Sequence, residues 1–170
     1  MKRVILSALV LTAFAVNANA QATATATATA TIVTPISITK NVDMNFGNIA
    51  VQASTGGTVI LAPAGTRTTG GAGGVTLPVV NGTVTAASFT VNGNNSYTYA
   101  ITLPSSAVTL TGPAAATMDA TAFTSTPSGT GTLSGAGAQT LNVGATLTVA
   151  AAQAAGVYTS GNFNVTVNYN

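Results

Sequence analysis

Beyond residue 20, apolar and polar positions alternate one for one over most of the chain. Tyr97, Tyr99, Ile101 and Leu103 share one parity, with Ser96, Thr98 and Thr102 on the other. Leu141, Val143, Ala145, Leu147 and Val149 repeat the pattern against Asn142, Thr146 and Thr148. At the end of the chain Phe163, Val165, Val167 and Tyr169 alternate with Asn162, Asn164, Thr166 and Asn168. Successive side chains of a strand point to opposite faces, so each run predicts a strand with one face in a core and one in water. Tyr97, Tyr99, Phe46 and Phe89 are expected in that core.

Turn chemistry separates the runs. Asn81-Gly82, between Val79-Val80 and Thr83-Val84, predicts a hairpin, because both turn residues tolerate positive φ. Asn92–Asn95 connects an Ala87/Phe89/Val91 strand to the Tyr97 strand. Gly65–Gly74 and Ser125–Gly137, rich in Gly, Thr, Ser and Pro, read as long loops. Ala150–Ala155 is the best helix candidate, and it stops at Gly156. Many short strands with turns between them predict an all-β fold, an immunoglobulin-like Greek-key β-sandwich.

One segment stands apart. Ala22–Thr31 is a strict Ala-Thr repeat, and its phase runs on through Ile32, Ile36 and Ile38. As one strand, Ala22–Ile38 would extend on the order of 55 Å, too long for one sheet, since strands mostly run three to ten residues. Two readings stay open for the excess. It is either a flexible low-complexity leader or a strand that completes another chain's sheet, its Ala methyls seated in a shallow groove. In the second reading the donor residues are Ala22, Ala24, Ala26, Ala28 and Ala30, with Ile32, Ile36 and Ile38 as the large ones. The expected organisation is a signal over 1–20, an extension over 21–31 and one domain over 32–170.

The signal rests on Lys2 and Arg3, an apolar stretch from Val4 to Val16, and Ala18-Asn19-Ala20 at the cleavage site. It implies export through the inner membrane, to the periplasm or the cell surface. Removing it removes half the cations. What remains is Lys40 and Arg67 against Asp43 and Asp119, a neutral chain. Two separated cations cannot bind nucleic acid by counterion release, and no later segment is apolar enough to span a membrane. A surface with so little charge suits a protein that meets copies of itself.

The residues for catalysis are missing. The chain has no His and no Cys, and two carboxylates supply neither a tuned acid–base pair nor a metal site. No enzyme activity and no cofactor are expected. Asp43 is expected to pair with Lys40 or to cap a turn. The glycine run Gly70–Gly74 lacks both the aspartates of a calcium repeat and the Lys-Ser/Thr of a phosphate loop.

Several motifs taken together carry a resemblance. They are Thr34-Pro35-Ile36-Ser37-Ile38, Asp43–Ile49, Gly57-Thr58-Val59, Phe89–Gly93, Tyr97–Pro104, Val143–Leu147, Gly156-Val157-Tyr158 and Phe163–Asn170. With the Ala/Thr leader they make the chain resemble the secreted bacterial family known only as domain of unknown function 4402, a relative of pilin and spore-coat-type fimbrial subunits. The resemblance implies a pilin-like, incomplete sandwich completed by donor-strand exchange. A periplasmic chaperone would fill the groove first, and the next subunit's extension would replace it at an outer-membrane usher. It also implies a C-terminal strand with a penultimate aromatic, here Tyr169, and a glycine some fourteen residues from the end, here Gly156. Gly156, Phe163, Val165, Val167 and Tyr169 would then form the accepting side.

Three functions follow as expectations. The first is a homopolymeric subunit of an extracellular fimbria-like fibre. The second is a self-complemented monomer on the surface or in a matrix, adhesive or glycan-binding. The third, an ice-binding face, is suggested by Thr-x-Thr spacing but opposed by its confinement to the leader.

Overall fold

A computed structural model describes residues 21–170, and the signal expected over 1–20 lies outside them. The chain divides between Ile32 and Val33 into two units. From Gln21 to Ile32 every side chain is exposed and no strand forms. The body, from Val33 onward, holds thirteen strands. They are β1 (Ser37–Val42), β2 (Ala50–Val51), β3 (Gly57–Leu61), β4 (Arg67–Gly70), β5 (Val75–Thr76), β6 (Ala87–Asn92) and β7 (Thr98–Thr102), then β8 (Val108–Thr111), β9 (Thr117–Thr126), β10 (Thr130–Thr132), β11 (Ala138–Val149), β12 (Thr159–Ser160) and β13 (Thr166–Tyr169).

The protein is all-β, with antiparallel sheets organised by β11. Its inward residues Leu141, Val143, Ala145, Leu147 and Val149 are all buried. Burying each large side chain contributes about 1.5–3 kcal/mol, so this strand anchors the core. At 12 residues it takes two partners in succession on one side, β6 against Ala138–Val143 and β3 against Ala145–Val149. The other side pairs with β9 from Asn142 to Thr148. Gly144 marks the switch, where a Cβ would collide with the Leu61 carbonyl oxygen. The large sheet runs β1-β6-β11-β9-β8-β12, with β3 and β4 attached beside β11.

A second sheet, β10-β7-β13, and a short pair, β2-β5, cover its inner face. Phe89, Val91, Leu141 and Val143 of the large sheet form one buried cluster with Tyr99, Leu133 and Val167. At the other end of β11, Val59, Leu61, Leu147 and Val149 cluster with Phe46 and Val75. The outer face is polar. Thr39, Thr90 and Thr140 lie in register across three strands, and so do Thr58, Thr148, Asp119 and Thr109 across four.

Several local expectations need correction. Asn81-Gly82 joins no strands, because its neighbours bond elsewhere: the Asn48 amide donates to the Asn81 carbonyl at 2.7 Å and Asn48 Nδ2 to the Val80 carbonyl at 3.0 Å. Gly65–Gly74 contains β4, which closes a hairpin onto β3, and Ser125–Gly137 contains the end of β9 and all of β10. Ala150–Ala155 forms turns, with Ala152 at positive φ, and no helix. Tyr97 precedes β7 and is 43% exposed, whereas Tyr99 is fully buried. Phe163 and Val165 lie ahead of β13 instead of within it, because β7 offers no partner beyond Thr102. Phe46 and Phe89 are buried as expected. Among the described residues no helix is long and apolar enough to cross a membrane.

Candidate strand-accepting groove

The C-terminal strand β13 pairs with β7 from Thr166↔Thr102 to Tyr169↔Tyr99. It is the last strand of its sheet, and among the described residues no strand pairs with its outer edge. Alternation fixes its two faces: Val167 is buried, Tyr169 half-buried, and Thr166 and Asn168 exposed. Phe163 and Val165 continue the inward parity upstream and pack on the same cluster. The Phe163 ring meets that of Phe123 with centroids 5.4 Å apart.

The two ends of this strand differ. At the Tyr169 end the phenol oxygen is fully engaged. It accepts from the Asn94 amide at 2.6 Å and donates to the Thr34 carbonyl at 2.7 Å, while its ring meets Tyr97 edge-on. That end is closed, and it is where the chain enters the body. At the other end a cavity of about 1320 Å³ opens between Lys40–Asp43 and Ser160–Asn164. Its floor is the inner face of β8, β9 and β11, including Val108, Leu110, Met118, Leu147 and Val149. Val108, Leu110, Met118 and Phe123 are only half-buried although they face inward.

The groove has little electrostatic character. On one lip the Lys40 ammonium meets the Asp43 carboxylate at 2.6 Å, so the charges cancel locally. Asp119 points to the outer face and accepts from the Thr109 hydroxyl at 2.7 Å. Among the described residues no buried side-chain nitrogen or oxygen lacks a partner. The groove therefore has a mixed lining, with half-buried apolar side chains on its floor and Asn45, Gln153, Ser160 and Asn164 among the polar ones around it.

The residues singled out from the sequence fall into three groups. Phe163, Val165, Val167 and Tyr169 share one line along the open edge. Gly156 sits in the exposed loop leading to them, at a φ of 153° against the Pro113 ring. Ile36 and Ile38 are half-buried against the body's own core, with Ile38 opposite Val91 in the β1–β6 ladder. Ala22, Ala24, Ala26, Ala28, Ala30 and Ile32 are exposed in the leader, Ile32 at 92%. The sequence reading missed the floor. Val108/Leu110 and Met118/Ala120 carried the signal, two short alternations of the right parity.

An all-β protein with an unpaired edge on its C-terminal strand, and a groove at the segment leading into that strand, defines a general class: a scaffold able to take an added strand. A family model described as "Domain of unknown function (DUF4402)" matches residues 36–169, and the chain belongs to that family. No curated protein and no solved structure matches it significantly.

Proposed function

We propose that the protein is a structural subunit of an extracellular fimbria-like fibre. Its body would be an incomplete immunoglobulin-like, pilin-like Greek-key sandwich, completed by a strand from another chain. The observation that carries this reading is the unpaired outer edge of β13, whose lead-in residues Phe163 and Asn164 line the groove. An exposed strand edge is an aggregation hazard that folded proteins normally blunt with charge, proline or a cover. Here its exposed positions are Asn162, Asn164, Thr166 and Asn168, which carry no charge. Such an edge suits controlled assembly, with a periplasmic chaperone covering it before the next subunit arrives at an outer-membrane usher. The protein is exported in this reading, and its role is non-catalytic.

A second reading, the self-complemented adhesive monomer, is favoured by one feature. Ile36 and Ile38 already pack into the body that carries them. Electron microscopy and unheated gel electrophoresis of the full chain and of a variant lacking Gln21–Thr31 separate the two. Filaments and ladders that vanish with the deletion support the fibre; monomers from both chains overturn it.

A further inference from the structure

We infer that Asn81 is a site of spontaneous deamidation, in which the Gly82 amide displaces the side-chain ammonia and leaves Arg67 with an acidic partner. The chemistry needs no second chain, so it stands or falls apart from the fibre reading.

The chain carries its own comparison. The tripeptide Val-Asn-Gly occurs twice, at Val80-Asn81-Gly82 and at Val91-Asn92-Gly93. Glycine follows the asparagine in both, so no Cβ hinders the approach of its backbone nitrogen to the side-chain carbon. Both asparagines are exposed. The fold treats the two glycine amides differently. Asn92 ends β6, paired with Ser37 of β1 on one side and Ala138 of β11 on the other. The Gly93 amide donates to the Gly137 carbonyl at 2.9 Å. That nitrogen is engaged, and the extended backbone before it is fixed in the ladder. Asn81 lies outside every strand, and among the described residues the Gly82 amide has no acceptor. Its nitrogen is free to turn onto Cγ of Asn81.

Arg67 supplies the activation. Its Nη2 lies 3.3 Å from Asn81 Oδ1, the atom that takes negative charge when nitrogen adds to Cγ. A cationic donor already fixed on a developing oxyanion lowers the barrier without reorganisation. Its Nη1 is anchored on the Phe46 and Asn48 carbonyls, and the Asn81 carbonyl accepts from the Asn48 amide at 2.7 Å, so guanidinium and loop are held together. In the reaction the bond from Gly82 N to Cγ forms and the Cγ–Nδ2 bond breaks. The Gly82 proton leaves with Nδ2 as ammonia, and a five-membered imide remains. Water then opens the imide at Cγ or at the backbone carbonyl carbon, giving aspartate or isoaspartate. No electrons are exchanged.

Either product changes the electrostatics of the loop. Among the described residues Arg67 has no acidic partner, since Asp43 pairs with Lys40 and Asp119 accepts from Thr109. Nη2 donates to both Asn81 oxygens, Oδ1 at 3.3 Å and the carbonyl at 3.4 Å. The new carboxylate therefore starts beside the guanidinium whichever way the imide opens, and a cradle of neutral dipoles becomes an ion pair.

The test is peptide mapping by mass spectrometry on the full chain, kept warm in mildly alkaline buffer, folded or unfolded in urea. In urea the two matched tripeptides should convert at like rates. In the folded chain Asn81 should convert several-fold ahead of Asn92. Equal rates in the folded chain, or Asn92 ahead, overturn the site. Arg67→Lys, where it folds, should slow Asn81 several-fold and leave Asn92 unchanged; an unchanged Asn81 rate removes Arg67 from the chemistry. Asn81→Asp reads the product directly. Its urea midpoint should fall further with added salt than the parent's, because salt screens an exposed ion pair. A midpoint no more salt-sensitive than the parent's overturns the ion pair.

Discussion

The hydroxyl of Tyr169 donates to the carbonyl oxygen of Thr34 at 2.7 Å, joining residues 135 apart in sequence at the point where the leader enters the body. The same oxygen accepts from the Asn94 amide, so one phenol ties the last strand, the β6–β7 connection and the approach to β1. Gly93 permits this approach, since a Cβ there would collide with the Tyr169 hydroxyl. Tyr169→Phe keeps the ring against Tyr97 and removes both bonds. At about 0.5–1.5 kcal/mol each, the loss should lower the urea midpoint without changing the m-value. Protease cleavage between Ile32 and Ile36 should rise in parallel. An unchanged midpoint and unchanged cleavage would show that the phenol is a bystander.

Arg67 acts as a bolt between loops. Its guanidinium donates to the carbonyl oxygens of Phe46, Asn48 and Asn81 and to the Asn81 side chain, and none of these partners is charged. Arg67→Met should destabilise by about 1–3 kcal/mol, because it removes four hydrogen bonds together, the one to the Phe46 carbonyl part-buried and the others exposed. Arg67→Lys should rescue little, a point-charge ammonium lacking the planar fork. Added salt should leave the effect nearly unchanged, because the partners are neutral dipoles. The exposed Lys40–Asp43 pair is the contrast: Asp43→Asn should change stability by about 1 kcal/mol or less. Urea titrations of the three variants at low and high salt read these effects.

The strands that were legible in the sequence are those with a wet face and an oily one. β11, β6 and β7 announce themselves through Leu141–Val149, Ala87/Phe89/Val91 and Tyr99/Ile101. The strands that were missed, β4 (Arg-Thr-Thr-Gly) and β10 (Thr-Gly-Thr), have no apolar parity. Their pairing is decided by the hairpin onto β3 and by the register with β7, which are tertiary facts. The threonine rows were hidden for the same reason. Thr39, Thr90 and Thr140 are neighbours only after β1, β6 and β11 pair, so Thr-rich patterning looked confined to the leader when it also covers the body. The groove was half legible: its open edge was readable from Phe163–Tyr169, but its floor lies on β8 and β9, which alternate too briefly to stand out.

Val167 and Asn168 give a paired test of the last strand's orientation. Val167 belongs to the buried cluster that holds Tyr99 and Leu141, and Asn168 faces out. Val167→Asp buries a carboxylate with no partner, at a cost of several kcal/mol, and should abolish recovery of folded protein. Asn168→Asp should fold as the parent does. Equal yields from the two would mean that β13 is turned over or unformed.

Alkaline pH isolates a single buried phenol. Tyr99 is fully buried, its hydroxyl donates to Gln139 Oε1 at 2.8 Å, and the same oxygen accepts from the Thr132 amide at 2.9 Å. Desolvation raises its pKa above the ordinary phenol value. The folded state thus binds this proton more tightly than the unfolded chain does. The resulting stability is complete below the unfolded phenol pKa, near 10, and is lost as pH rises through the higher folded value. The urea midpoint should therefore fall once pH passes about 10. Tyr99→Phe should be weaker at neutral pH, lacking the Gln139 bond, yet should show a shallower alkaline decline. A decline equally steep in the variant would assign the alkaline sensitivity to groups other than Tyr99.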